Sequence, residues 1–260
     1  MLVKVYLYAI ECQLMRNRII AIALSVASFT AHAQQDMHEL KGDKMSLKFL
    51  VREPNAKDKK TPLIILLHGR GGTEESMFSK ADQLPKEAII ISPRAPLDMA
   101  KGTYGWYHVV QGGDAPEPEP AEAESSRKIL AAFIKEIEEK YQVPPNHVYI
   151  MGFSQGGAMA LGIGLTQPEL VRGVISLSGR VLNEFKTHLA PTDRLKPLVT
   201  FIGHGTKDKL LPLKYAQMNK TFLEGYHIPV AYHEYDEGHE INAAEMLDIK
   251  DWFKKELQRK

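Results

Sequence analysis

The chain is almost without cysteine. Cys12 is the only one in 260 residues, so one copy can build neither a disulfide framework nor a thiolate metal cluster. It also lacks an excess of either charge. Its 33 lysines and arginines balance 32 acidic residues to a net charge of +1. Bulk charge therefore implies no nucleic-acid partner and no acidic membrane surface, and no basic run is interleaved with aromatics. No apolar run is long enough to span a bilayer comfortably, so no stable membrane anchor is expected. No histidine–carboxylate pattern has metal spacing such as H-E-x-x-H, so no metal site is implied.

What is present divides at the N-terminus. Arg16 and Arg18 precede the apolar run Ile19–Val26, and Ala31-His32-Ala33 matches a small-x-small cleavage site. This is the layout of a secretory signal peptide, with cleavage expected after Ala33 and export to a periplasm or the medium. Met15 stands directly before Arg16 and offers an alternative start, under which Met1–Leu14 would be a mis-assigned extension. Cleavage would leave a mature chain with no cysteine. From Gln34 to Lys260 there is no internal repeat and no break in composition, and one α/β domain is the economical reading.

Short apolar runs alternate with amphipathic stretches throughout that domain. Strands are expected over 44–51, Leu63–Leu67, Ala88–Ser92, Val148–Ile150, Gly173–Leu177, Leu198–Ile202 and Val230–Tyr235. Helices are expected over Thr73–Gln83, Ala121–Tyr141, Ala158–Gln167, Leu213–Leu223 and Ile241–Leu257. Strands that alternate with helices predict a mostly parallel central sheet with helices on both faces. No second domain or long lid is evident.

The stretch around which the rest is organised is Gly152-Phe153-Ser154-Gln155-Gly156, a G-x-S-x-G between a strand and a helix. Such a turn lifts a serine hydroxyl to the tip of a strained backbone. A nucleophilic serine needs a base, an acid to orient that base, and donors for an oxyanion. In an open α/β sheet these groups follow the carboxyl ends of strands. Asp208 follows Leu198–Ile202, and His239 follows Val230–Tyr235. The order Ser154, Asp208, His239 is that of α/β-hydrolases. His204, Asp236 and Glu237 compete for the base and acid roles. His204 fits a loop-shaping role better, and Asp236 and Glu237 sit too near His239 in sequence to face its ring.

The run His68-Gly69-Arg70-Gly71-Gly72 follows a strand buried on both faces. It could cradle a phosphate, but the P-loop ending is absent. Backbone N–H groups of Arg70 and Gln155 are the better reading, as an oxyanion hole. Gly102–Val109, with Trp106 and Tyr107, suits the wall of a substrate pocket or a surface loop of packed aromatics. Gly112–Pro120 reads as an extended acidic loop.

Together these motifs resemble one family. Leu66-Leu67-His68-Gly69, Ser92-Pro93-Arg94-Ala95-Pro96, Trp106-Tyr107, Gly152–Gly157, His204–Asp208 and Gly238-His239 are similar to the phospholipase/carboxylesterase family of α/β-hydrolases, which includes acyl-protein thioesterases and small bacterial carboxylesterases. The resemblance runs from about Pro62 to the C-terminus. It implies the α/β-hydrolase fold with a minimal lid, and cofactor-free hydrolysis of small-molecule carboxylic esters or thioesters through an acyl-enzyme. It carries the nucleophile, acid and base onto Ser154, Asp208 and His239, and the oxyanion donors onto Arg70 and Gln155. Two departures stand out. Arg70 occupies a position that is commonly leucine in the family, so its guanidinium either points to solvent or reads an anionic substrate. The signal peptide would keep the enzyme from cytosolic acyl-proteins. Lysophospholipase, feruloyl-type esterase and peptidase activities remain open, as does a non-catalytic binding protein on the same fold.

Overall fold

The computed structural model describes residues 45–110 and 115–259. The expected signal peptide, the expected start extension Met1–Leu14 and the expected cleavage site after Ala33 lie outside the described residues. In chain order, β1 (Phe49–Arg52), β2 (Leu63–Leu67), α1 (Glu74–Phe78), β3 (Ile89–Pro93), β4 (Leu97–Ala100), β5 (Thr103–Gly105), β6 (Val109–Val110) and β7 (Glu117–Pro118) lead to α2 (Pro120–Tyr141). Then follow β8 (Val148–Phe153), α3 (Gln155–Thr166), β9 (Gly173–Leu177), α4 (Asn183–Lys186), α5 (Thr192–Leu195), β10 (Val199–Gly205), α6 (Lys214–Gly225), β11 (Val230–Tyr235) and α7 (Ala243–Glu256).

Seven of these strands form one sheet in the order β1-β3-β2-β8-β9-β10-β11. Only β1 runs antiparallel to its neighbour; the other pairs are parallel. The reason is visible in β2. Leu63, Ile65 and Leu67 enter one hydrophobic cluster, and Ile64 and Leu66 enter the other. A strand with two apolar faces needs helices on both sides of it. Leu130, Phe133, Ala158, Ala216 and Leu223 bring α2, α3 and α6 to the first face. Met77, Phe78, Met246, Ile249 and Phe253 bring α1 and α7 to the second. Each of these leucine, isoleucine, phenylalanine and methionine side chains contributes about 1.5–3 kcal/mol by leaving water.

Three differences from expectation bear on the site. The expected helix over Thr73–Gln83 stops at Phe78, and a 3-10 turn over Ala81–Gln83 follows. The tighter turn brings Ala81 and Leu84 into the core beside Met77 and Phe78. Strand β10 runs on to Gly205, because His204 and Gly205 keep their pairing with Glu234 and Tyr235. The stretch 97–118 holds two small hairpins, β4–β5 and β6–β7. Among the described residues, no helix is long and apolar enough to cross a membrane.

Candidate active site

The serine turn is built by contact of backbone with backbone. Strand β8 ends at Phe153, α3 begins at Gln155, and Ser154 between them has φ +56° and ψ −117°. A side-chain-bearing residue in that region costs about 1–3 kcal/mol. The turn is held by the Ser154 N–H, which donates to the Leu177 carbonyl at 2.8 Å, and by the Ala158 N–H, which donates to the Ser154 carbonyl at 3.0 Å. Two glycines permit it. A Cβ on Gly152 would stand 2.1 Å from the Gly156 carbonyl oxygen, and one on Gly156 would stand 2.2 Å from that of Leu67. The Ser154 hydroxyl therefore lies at the positive end of α3 and close to the end of β2.

Asp208 and His239 come to this serine from the carboxyl ends of β10 and β11. His239 Nε2 lies 2.9 Å from Ser154 Oγ, and His239 Nδ1 lies 2.6 Å from Asp208 Oδ2. The Asp208 side chain is fully buried. Its other oxygen accepts the backbone N–H groups of Leu210 and Leu211 at 2.9 and 2.8 Å. These bonds offset the cost of burying a carboxylate. The Phe153 ring tilts against the imidazole with centroids 4.9 Å apart.

The competing groups take other partners. His204 Nε2 is 2.7 Å from the Leu211 carbonyl and 3.4 Å from Asp208 Oδ2. Burial holds its pKa below the usual histidine range, so the ring is neutral with its Nε2–H donated to Leu211. It braces the turn that carries Asp208. Asp236 pairs with Lys207 at the surface, at 2.8 Å. His68 is buried, its Nδ1 2.8 Å from the Gly69 carbonyl, while its Nε2 accepts the Ala95 N–H at 3.0 Å.

Gly69, Arg70 and Gln155 line the cleft beside Ser154. The N–H of Gln155 stands in the first turn of α3, where N–H groups have no helical partner. The loop of Arg70 is pinned from behind, since the Gly71 N–H donates to the Tyr104 carbonyl at 2.8 Å and the Tyr104 N–H to the Gly72 carbonyl at 2.9 Å. The Arg70 side chain is exposed at the mouth.

Tyr107 lines the cleft, and burial raises the pKa of its phenol. Trp106 does not line it, which corrects the expectation that both aromatics wall the pocket. Its side chain is 0% exposed, and its indole N–H donates to the His68 carbonyl at 2.9 Å. Only one of two successive residues can face the cleft here, and the indole finds its acceptor under the glycine loop.

Other functional positions escaped sequence reasoning. Gln155 Nε2–H donates to the Tyr107 carbonyl at 2.7 Å, and its Oε1 accepts the Trp106 N–H at 3.0 Å. The nucleophile's neighbour thus holds the opposite wall. Arg180 also lines the cleft. Its guanidinium donates to Glu117 at 2.9 and 3.1 Å and to the Pro116 carbonyl at 2.6 Å. Its position just beyond the carboxyl end of β9 was the available signal. The cleft has a volume of about 170 Å³. Among the described residues, no cluster of three or more histidines, cysteines or acids could hold a metal ion.

The sequence and the fold are similar to those of known proteins. The family described as Phospholipase/Carboxylesterase matches residues 50–257. Acyl-protein thioesterase 1 of Yarrowia lipolytica is 31% identical over 231 residues, covering 80% of this chain and 97% of that protein. The protein of the same name from Gibberella zeae is 27% identical over 217 residues, covering 77% and 92%. The crystal structure of the Bacillus cereus carboxylesterase superposes with a TM-score of 0.70, covering 81% of this chain and 94% of that one. At 22% identity that likeness is one of fold.

Proposed function

We propose, starting from the fact that the chain belongs to the phospholipase/carboxylesterase family, that it is a serine hydrolase of carboxylic esters with small or medium acyl chains, and that Ser154, His239 and Asp208 carry the reaction. The observation that carries this reading is the relay of 2.9 and 2.6 Å from Ser154 through His239 to Asp208. His239 Nε2 takes the Ser154 proton as Oγ attacks the acyl carbon. Asp208 holds the ring in the tautomer that leaves Nε2 free to accept, and stabilises the imidazolium that forms. The tetrahedral oxygen lies between the N–H groups of Arg70 and Gln155, either of which is worth roughly 100- to 1000-fold in rate. His239 then gives its proton to the departing alcohol. Water repeats the sequence on the acyl-enzyme, with His239 as base. A thiol leaving group is served by the same steps, and the thioesterase relatives support that extension.

The test is hydrolysis of a p-nitrophenyl ester ladder from acetate to palmitate by the purified protein, beside Ser154→Ala. Activity on the shorter rungs that vanishes in the variant is expected, together with labelling of Ser154 by a fluorophosphonate. A protein that neither turns over any rung nor takes the label is the non-catalytic binding protein instead.

The site of action belongs to the same proposal. The signal-peptide pattern of residues 16–33 supports export to a periplasm or the medium. N-terminal sequencing of the protein from an osmotic-shock fraction is expected to begin at Gln34. An intact N-terminus in the cytosol would overturn that part.

A further inference from the structure

The oxyanion donor at Arg70 lies in a loop with little stiffness of its own. Gly69, Gly71 and Gly72 surround it, and glycine gives the backbone its widest freedom. The loop closes as a β-turn. The Gly72 N–H donates to the Gly69 carbonyl at 3.1 Å, and Gly71 has φ +74°, so Arg70 and Gly71 are the central residues of a type II pattern. A displacement of about 1 Å in a group that meets the reacting atoms can cost roughly 100-fold in rate. The turn must therefore be fixed from outside.

On one side His68 fixes it, with Nδ1 2.8 Å from the Gly69 carbonyl. On the other side stands Tyr104, whose backbone bonds Gly71 and Gly72 at 2.8 and 2.9 Å. Tyr104 belongs to the β4–β5 hairpin, and a two-stranded hairpin is marginally stable by itself. The Tyr104 side chain supplies the anchor. Arg94 Nη1–H donates to its hydroxyl at 3.0 Å, and the guanidinium carbon stands 4.4 Å from the centre of its ring. Arg94 in turn grips Glu74. Its Nε–H is shared between the carboxylate oxygens at 2.8 and 3.0 Å, and its Nη2 donates to Oε1. Glu74 is buried and opens α1 just past the glycine loop, and its carbonyl accepts the Ser92 hydroxyl at 2.8 Å.

These contacts close a ring. The backbone runs from the Arg70 turn into Glu74, and side chains return from Glu74 through Arg94 and Tyr104 to the same turn. A forked, charge-assisted pair fixes direction as well as distance. The ring stands behind the site, since Glu74, Arg94 and Tyr104 are not among the described residues that line the cleft.

We propose that Tyr104, held by Arg94 and Glu74, is a positioning residue for the oxyanion donor at Arg70 and does not bind substrate. The inference rests on the reading of the protein as a serine esterase.

The experiment measures kcat and KM on p-nitrophenyl butyrate and the Ki of butylboronic acid, whose adduct with a serine hydroxyl is tetrahedral and carries an oxygen into the oxyanion hole. It compares the unsubstituted protein with Tyr104→Phe, which keeps the ring and deletes the hydroxyl. The expected result is a kcat roughly tenfold lower with KM unchanged, a part of the roughly 100- to 1000-fold that loss of a whole donor costs. The boronate Ki is expected to rise by the same factor. Arg94→Lys keeps a charge beside Glu74 but loses the fork, and the same split is expected there. Arg70→Pro removes the donor N–H at a turn position that accepts proline, and in that protein Tyr104→Phe is expected to lower kcat no further.

A raised KM with kcat unchanged would make Tyr104 part of the substrate wall and overturn the proposal. So would an unchanged kcat beside a lowered Tm, which marks a structural role alone. A fall in kcat that persists undiminished in the Arg70→Pro protein would place the action of the hydroxyl elsewhere. If circular dichroism shows Arg70→Pro to be unfolded, the boronate decides: a Ki that stays level while kcat falls overturns the proposal. Each of these results leaves the esterase reading intact. An unsubstituted protein that neither hydrolyses the ester nor takes a fluorophosphonate label would overturn both readings.

Discussion

On the Ser154 side of the cleft, backbone rests on backbone: Gly152 against Gly156, and Gly156 against Leu67. On the Trp106–Pro118 side, a loop is held by side chains that reach across from other elements, Gln155 to Trp106 and Tyr107, and Arg180 to Pro116 and Glu117. The first arrangement tolerates no added atom. The second can lose an anchor and still leave a folded chain. Reactive atoms must be held to fractions of an ångström, whereas a substrate wall can differ between relatives without disturbing them.

The most severe way to break this contrast is Gly156→Ala. Its methyl would meet the Leu67 carbonyl oxygen at 2.2 Å, so the first turn of α3 must leave β2. A loss of about 4 kcal/mol or more is expected, in the exceptional range for a single change. Urea unfolding reads it, and a midpoint close to that of the unsubstituted protein would show that the turn gives way more easily than its packing allows. Asp208→Asn comes next. It is expected to leave the fold in place and lower kcat about 10⁴-fold, because the amide favours the wrong tautomer of His239. A fall of under about tenfold would move the acid role away from Asp208.

On the other wall, Gln155→Leu removes both anchors of the Trp106–Tyr107 segment. The Trp106 N–H and the Tyr107 carbonyl then lose buried partners, at about 1–3 kcal/mol each. The expected result is a raised KM with a smaller change in kcat, since the backbone N–H of residue 155 stays where it is. A kcat that falls as far as in Asp208→Asn would show that the two walls are one mechanical unit after all.

The same contrast explains what could be read from the sequence. G-x-S-x-G, His-Gly before Asp208 and Gly-His239 are local signals, because close backbone approach demands glycine at fixed offsets. The buried strand Leu63–Leu67 is equally plain, since every side chain in it is apolar. The wall is not local. Arg180 meets Glu117 from 63 residues away, and Gln155 meets Trp106 from 49. No periodicity links such positions. Trp106 misled for a related reason: an aromatic beside glycines looks the same whether it faces a cleft or lies under a loop. The first turn of α3 was hidden too, because Gly156 and Gly157 are poor helix formers and tertiary packing overrides that preference. Strand β10 was read as ending at Ile202 because Gly203 and His204 carry no apolar signal.

Gly203 leads to the smallest effect and the one that probes the backbone side most finely. Its missing Cβ leaves room for Glu245 of α7, whose Oε1 lies 2.1 Å from where that Cβ would be. Glu245 is 2% exposed, and burial pushes its pKa up to about 8. A carboxyl whose folded pKa lies above its unfolded value binds its proton more tightly when folded. It does not weaken the fold below about pH 4.5, and it weakens the fold progressively as pH rises toward 8. Glu245→Gln removes that dependence but keeps a buried polar group of similar size. A net gain of about 1 kcal/mol at pH 8 is expected, or roughly 2–4 °C in Tm for a chain of this length, with no gain at pH 4.5. The unsubstituted protein should accordingly lose Tm between these two pH values by more than the variant does. Parallel profiles would mean that β10 and α7 part far enough to hydrate the carboxylate, and that the backbone side of the site is less rigid than its glycines suggest.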